Sequence, residues 1–347
     1  MIFHIRLCVA TGDLRTGGVF HAIRSVYGRQ VARKILKAGY LENVLGMMDL
    51  PRNDEGEQLE FSSLDWAYSF LCVDAMLVLV VQIEPRHDLR RVASRPRLYF
   101  LHWSRWLLLP GCDHVLLELA KETLSILAGQ SEPSSLSDIL LPEASPQIQG
   151  QYTALLAQHV PAKKRKWEKW PAQHESALAR IGADWCMAVG PSLETYQAFP
   201  GLRELHDREI DVLSVKSIKV PDDMRRVLDL NLSVKRCTVR SDGSAPAVTP
   251  SSRHYITDLC RLTHGVEACH LQGLHFGGRH NFLDQYGRAE LVNIGGNAFE
   301  ARSSAVSFIT LIVVLARAWS LSSSSRDESL SSSAACEALM DELWGSD

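Results

Sequence analysis

No two of this chain's eight cysteines are spaced as CxxC, which excludes the close ligand pairs of zinc ribbons and thioredoxin-like redox sites. Cys8, Cys72, Cys112, Cys186, Cys237, Cys260, Cys269 and Cys336 are scattered through 347 residues. That pattern is expected of reduced thiols, several of them buried as small apolar groups, and not of a secreted disulfide scaffold. The chain also has no GxSxG elbow, no GxxxxGK[ST] phosphate loop, no HExxH and no GxGxxG. Their absence removes the enzyme classes that short motifs announce. No apolar run reaches the roughly 20 residues that span a bilayer. Phe70 to Ile83 is interrupted by Asp74, and Ala305 to Leu315 runs up against Arg317. The first residues put Arg6 inside their apolar stretch with no basic segment ahead of it, a poor signal peptide. With a formal net charge of −3, the chain lacks the basic excess of proteins dominated by nucleic-acid electrostatics.

What is present suits a folded chain of one or two domains: 46% hydrophobic and 22% charged residues. Ile23, Val26, Tyr27, Val31, Ile35 and Ala38 recur at helical spacing, and Gly39 sits where a C-terminal cap belongs. A second helix is expected from Leu41, a buried one over Leu64 to Ile83, and another that starts at Asp113 and stops at Gly129. Ser131 to Gln149, with Pro133, Pro142 and Pro146, reads as a linker. Ile210 to Val215, Leu232 to Val239 and Leu291 to Ile294 carry the alternation or β-branching of strands, and Phe299 to Trp319 reads as a helix. The expected class is α+β. A mainly helical region over 1–130 precedes a Ser/Pro-rich linker with a basic run over 131–170. A mixed α+β region over 171–320 follows, and then a Ser-rich disordered tail over 321–347.

The stretch from Val31 to Leu45, with Gly39 between two helical patterns, resembles the helix–glycine–helix junction of an armadillo or HEAT repeat. A degenerate second copy falls near Trp103 to Leu127. The resemblance implies stacked helices offering a protein-binding surface.

Three clusters carry candidate chemistry. Lys163, Lys164, Arg165 and Lys166 form a surface run beside Trp167 and Trp170, read first as a nuclear-import signal, against a solvated helix face or a nucleic-acid contact. Cys260 and His264, one helical turn apart, could join Cys269 and His275 around a zinc ion, though unliganded histidines are the commoner case. At the C-terminus Leu339, Met340, Leu343 and Trp344 share one face of an acidic amphipathic segment, a candidate helix-in-groove ligand. Together these point to a non-enzymatic, intracellular protein-interaction protein of nucleus and cytoplasm. It would need no cofactor and would have other proteins as partners, with nucleic acid disfavoured and no membrane. The alternatives are a zinc-stabilised, nucleic-acid-associated protein and an enzyme without a recognisable motif.

Overall fold

A computed structural model describes residues 2–6, 38–44, 76–157, 193–217, 227–234, 236–237, 239–275, 283 and 285–327, with positions 172, 175, 176 and 179. In chain order its elements begin with strands β1 (Ile2–Arg6), β2 (Ala38–Val44) and β3 (Met76–Ile83), helix α1 (Pro85–Asp88) and strand β4 (Arg97–Ser104). Helices α2 (Asp113–Gly129), α3 (Leu136–Ile139), α4 (Pro146–Ala157), α5 (Leu193–Ala198) and α6 (Asp207–Ser217) follow. Four short strands come next, β5 (Val227–Asp229), β6 (Val239–Arg240), β7 (His254–Ile256) and β8 (Arg261–Leu262). Helices α7 (Gly265–Leu271), α8 (Arg288–Asn297) and α9 (Ala301–Asp327) complete the described chain. These elements fall into two compact units: residues 1–84, 96–131 and 302–347, and residues 85–95 and 132–301.

The first unit is built on a sheet of order β1-β2-β4-β3, parallel between β1 and β2 and antiparallel elsewhere. Strand β4 is its centre, and every residue from Leu98 to Ser104 is buried. A strand covered on both faces needs no polar alternation, so its sequence reads as a continuous apolar run. Val78, Val80 and Val81 favour the extended state of β3, because β-branched side chains pack well on a pleated surface. Trp103 is fully buried, and its indole N–H donates to the Leu311 carbonyl at 3.4 Å. That bond fixes α9 on one face of the sheet. Helix α2 buries Leu116, Leu119 and Ala120 along one stripe, as the spacing from Asp113 to Gly129 predicts, with Cys112 at the cap position.

The helical reading of the N-terminal region is therefore corrected. Ala38 to Val44 forms a strand in register with Trp103 to Arg97, so no second helix starts at Leu41 and no helix–glycine–helix junction exists there. The second repeat copy fails too, because Trp103 belongs to β4. Met76 to Ile83, placed in a buried helix, is a strand. The expected helix over Ile23 to Ala38 lies outside the described residues except for Ala38, which opens β2.

The second unit combines a sheet of order β6-β5-β7-β8 with α7 and α8 packed closely on each other. Three strand expectations are corrected here. Ile210 to Val215 lies within α6, whose first turn carries Asp207 and Glu209, where acidic groups suit the helix dipole. Leu291 to Ile294 lies within α8, which Glu290 opens by accepting from the Gly287 N–H at 2.7 Å. Among the described residues of Leu232 to Val239, bends, turns and irregular backbone prevail, and only Val239 enters a strand. The expected linker holds α3, opened by a capping box between Ser135 and Asp138, and the first turn of α4. Serine-rich residues 321–327 continue α9 where a disordered tail was expected.

Glycine sets how close α8 can come to its neighbours. A Cβ on Gly296 would stand 2.1 Å from the Thr249 carbonyl carbon and the Pro250 nitrogen, and one on Gly265 would stand 2.4 Å from Leu291 Cβ. We predict that Gly296→Ala costs about 3 kcal/mol, the upper end for overpacking, because backbone has to move to admit the methyl. A urea midpoint equal to that of the parent chain would refute this.

Candidate active site

Glu42 is the least expected side chain in the first unit. It sits near the C-terminal end of β2, opposite Tyr99 of β4, and only 1% of it is exposed. An isolated carboxylate there would lose its hydration at a cost of several kcal/mol. Arg97 answers it diagonally across the strand pair, with Nε 3.3 Å from Glu42 Oε1. The guanidinium also donates through Nη1 to the Pro96 carbonyl at 2.8 Å. Arg97 remains 18% exposed, so the pair runs from the interior of the unit to its surface.

Two tyrosines flank the carboxylate on the same sheet face. Tyr40 precedes Glu42 by two residues on β2, and its ring centroid lies 6.2 Å from that of Tyr99. Burial, and secondarily the Glu42 charge, pushes the Tyr40 phenol above its ordinary range, although a hydrogen bond with Ser304 of α9 opposes the shift. Tyr40 is therefore neutral at physiological pH, and the pair sits against low-dielectric aromatic surface where its electrostatics are strong. On the opposite face, fully buried His102 is held near pKa 4 by desolvation, with Nδ1 3.4 Å from the Phe100 carbonyl. An unfolded chain takes up this proton near 6.5 and the folded chain does not, so stability is lost as pH falls between those values. We predict a loss of about 3 kcal/mol from this site between pH 6.5 and 4. His102→Gln removes that part of the slope in pH-dependent urea titrations; an unchanged slope would refute the assignment.

The second unit holds a denser charge network with a structural role. Arg261 and Glu267 are both fully buried and joined by two bonds of 2.8 Å, and Arg261 Nε donates to Glu143 at 2.7 Å. Glu267 also accepts the backbone N–H groups of Leu141 and His264, at 2.8 and 2.6 Å. Tyr152 donates to Glu143 at 2.7 Å. Arg253 pairs with Glu209 and donates to the Glu204 carbonyl at 2.7 Å. Asp229 accepts from Ser252 at 3.1 Å and lies 4.0 Å from buried His254, whose pKa desolvation lowers. These bonds tie loops, strands and helices of the unit to one another, as a framework does.

The four residues proposed as zinc ligands are engaged in other ways. Cys260 has a left-handed backbone at φ 49° in the turn between β7 and β8, and its thiol donates to the Thr257 carbonyl. His264 caps α7, with Nδ1 accepting from the Val266 N–H at 3.2 Å. Cys269 is buried in α7, and desolvation pushes its thiol up to about 11, away from the thiolate a metal needs. His275 stacks on His270 at 5.0 Å. Among the described residues no three His, Cys, Asp or Glu side chains gather as a metal site would. The basic run Lys163 to Lys166 and the tail residues Leu339, Met340, Leu343 and Trp344 lie outside the described residues. Sequence reasoning missed Glu42 and Arg97 altogether. The available signal was a lone acid amid the apolar residues of Tyr40 to Leu45.

No protein-family model matches the chain, and no curated protein matches it. Two solved structures similar to it are methyltransferases. The S. pombe Dnmt2 methyltransferase shares 11% identity at a TM-score of 0.40, and the Entamoeba histolytica methyltransferase EhMeth shares 12% at 0.35. Each alignment covers 90% of this chain and 76% of the other. The expectation of an armadillo-like, non-enzymatic protein-binding scaffold is corrected, because the helical junction that carried it is strand β2.

Proposed function

We propose that the chain is an enzyme without a recognisable sequence motif, with Glu42 and Arg97 as its substrate-holding and proton-handling pair. The supporting observation is the buried carboxylate itself. A buried ion pair adds little net stability compared with apolar residues of the same volume, so stability alone does not account for it. Charged groups held away from water, near the carboxyl end of a strand, are where catalytic acids and bases are placed. Side by side, the carboxylate accepts and the guanidinium donates. A planar group carrying an N–H next to a C=O satisfies both at once, as amides and heterocycle edges do. Glu42 would take the proton that such a group loses on reaction, while Arg97 keeps it in plane.

The two neighbours are methyltransferases, so methyl transfer is the first reaction to assay, and the buried pair alone carries the reading. The test supplies the full chain with a sulfonium donor tritiated in its methyl group and a panel of nucleosides, nucleic acids and peptides. Label transfer that Glu42→Gln abolishes supports the proposal. Transfer that survives this substitution removes Glu42 from it, and no transfer to any acceptor removes methyl transfer.

The basic run keeps its own reading as an import signal, resting on four adjacent cations that cannot be buried unpaired. Alanine at Lys163, Lys164, Arg165 and Lys166 is expected to move a fluorescent fusion from nucleus to cytoplasm. An unchanged distribution would exclude it.

A further inference from the structure

Strand β3 is an edge of the first unit's sheet. It pairs with β4 along its whole length, from Met76 opposite Ser104 to Ile83 opposite Arg97, with no bulge. Among the described residues only β4 packs closely along it. A strand paired on one side turns the N–H and C=O of every second residue outward. From Leu77 to Ile83 none of these groups takes a backbone partner beyond β4 among the described residues. The Met76 carbonyl accepts from Arg105 Nε at 3.1 Å, so the open edge starts after it. Monomeric proteins blunt such an edge with a lysine, a proline, a bulge or an inward charge. The stretch Met76–Ile83 has none of them.

We propose that this edge pairs with the same edge of a second copy of the chain, antiparallel across a two-fold axis at Val80. The register follows from geometry. Outward groups recur at every second residue, so residues that face each other must differ by an even number of positions. Setting Val80 against Val80 of the partner subunit, and Val78 against Gln82 of the partner subunit, meets that rule. It also uses the part of β3 that reaches solvent, since Val78, Val80 and Val81 are half-buried and Gln82 is exposed.

Charge and entropy select a second copy over a foreign peptide. Met76–Ile83 carries no charged residue, so two copies meet without like-charge repulsion, and no charge singles out an acidic or a basic peptide. A peptide would lose its chain freedom on binding, whereas the second β3 is already held extended by its own β4. At the axis two β-branched valines meet, a favourable cross-strand pair. The contact uses the same surface on both subunits and closes on itself, so it gives a dimer and no fibre.

The experiment measures the mass of the full chain by light scattering over a range of concentrations, beside Val80→Lys, Val80→Glu and Val80→Cys. The expected parent is a concentration-dependent dimer. Val80→Lys and Val80→Glu are each monomeric at unchanged circular dichroism, because like charges meet at the axis. An equal mixture of the two recovers the dimer, which also shows that both variants fold. Under mild oxidation Val80→Cys gives several-fold more covalent dimer than the parent, since residues opposed across an antiparallel pair lie within disulfide reach. A parent that scatters as a monomer at every concentration overturns the proposal. A dimer that persists in Val80→Lys places the interface elsewhere and overturns it too. So does a mixture that stays monomeric, or a Val80→Cys chain that cross-links no more than the parent.

Discussion

Glu42→Gln is expected to lower turnover at least about 100-fold, the usual contribution of a positioned acid or base. The fold should survive, because glutamine has the same shape and still accepts a bond from Arg97. The partner left behind is 18% exposed and can hydrate, so the stability cost stays near 1–2 kcal/mol. Glu42→Ala removes the acceptor and leaves a cavity, and is expected to cost about 3–5 kcal/mol as well as activity. Arg97→Lys separates the two roles. A lysine keeps the charge and loses the planar fork, so substrate binding should weaken more than turnover falls. Full activity in Glu42→Gln would show that the carboxylate is a structural counter-ion.

Arg261→Met is expected to carry a stability effect as large as that of Glu42→Ala. It leaves Glu267, fully buried, with its charge and without its bidentate partner, and removes the bond to Glu143. Breaking such a pair from one side costs about 3–5 kcal/mol. The same rule predicts partial recovery when Glu267→Gln is added, since the remaining amide is neutral and its oxygen still accepts one of the two backbone N–H groups, that of Leu141 or that of His264. The surface pair Lys121–Glu118, 54% and 44% exposed, is the comparison: Lys121→Ala should cost less than about 1 kcal/mol. Denaturant titration of the three variants measures this. Equal costs for Arg261→Met and Lys121→Ala would show that the network contributes no more than a surface pair.

The sequence was most readable where one face of an element meets solvent. Helix α2 shows its stripe of Leu116, Leu119 and Ala120 against exposed charges, and its limits can be read within a residue. Helix α9 shows the same period on its buried side. Readability failed where both sides are covered. In β4 every position after Arg97 is buried, so no alternation marks it as a strand. Met76 to Ile83 is a short apolar run of the kind that helix and strand share, and only its three valines favoured the strand. In α6 and α8 the reverse occurred. Ile210, Val212 and Leu213, like Leu291, Val292 and Ile294, suggested strands by side-chain type. The capping acids Glu209 and Glu290, each bonded to a backbone N–H at the helix start, decide for helix. The candidate site was hidden for a further reason. Glu42 and Arg97 lie 55 positions apart and meet only through the register of β2 on β4. No local spacing records such a meeting.

Replacing the pair with apolar residues of similar size, Glu42→Leu with Arg97→Met, separates substrate chemistry from architecture in one comparison. If the two charges are there for a substrate, the double variant will melt at or above the parent temperature, because the desolvation cost disappears, and label transfer will be lost. A double variant that melts more than about 10 °C lower would contradict this and make the ion pair a strut of the sheet. So would one that still transfers the methyl group.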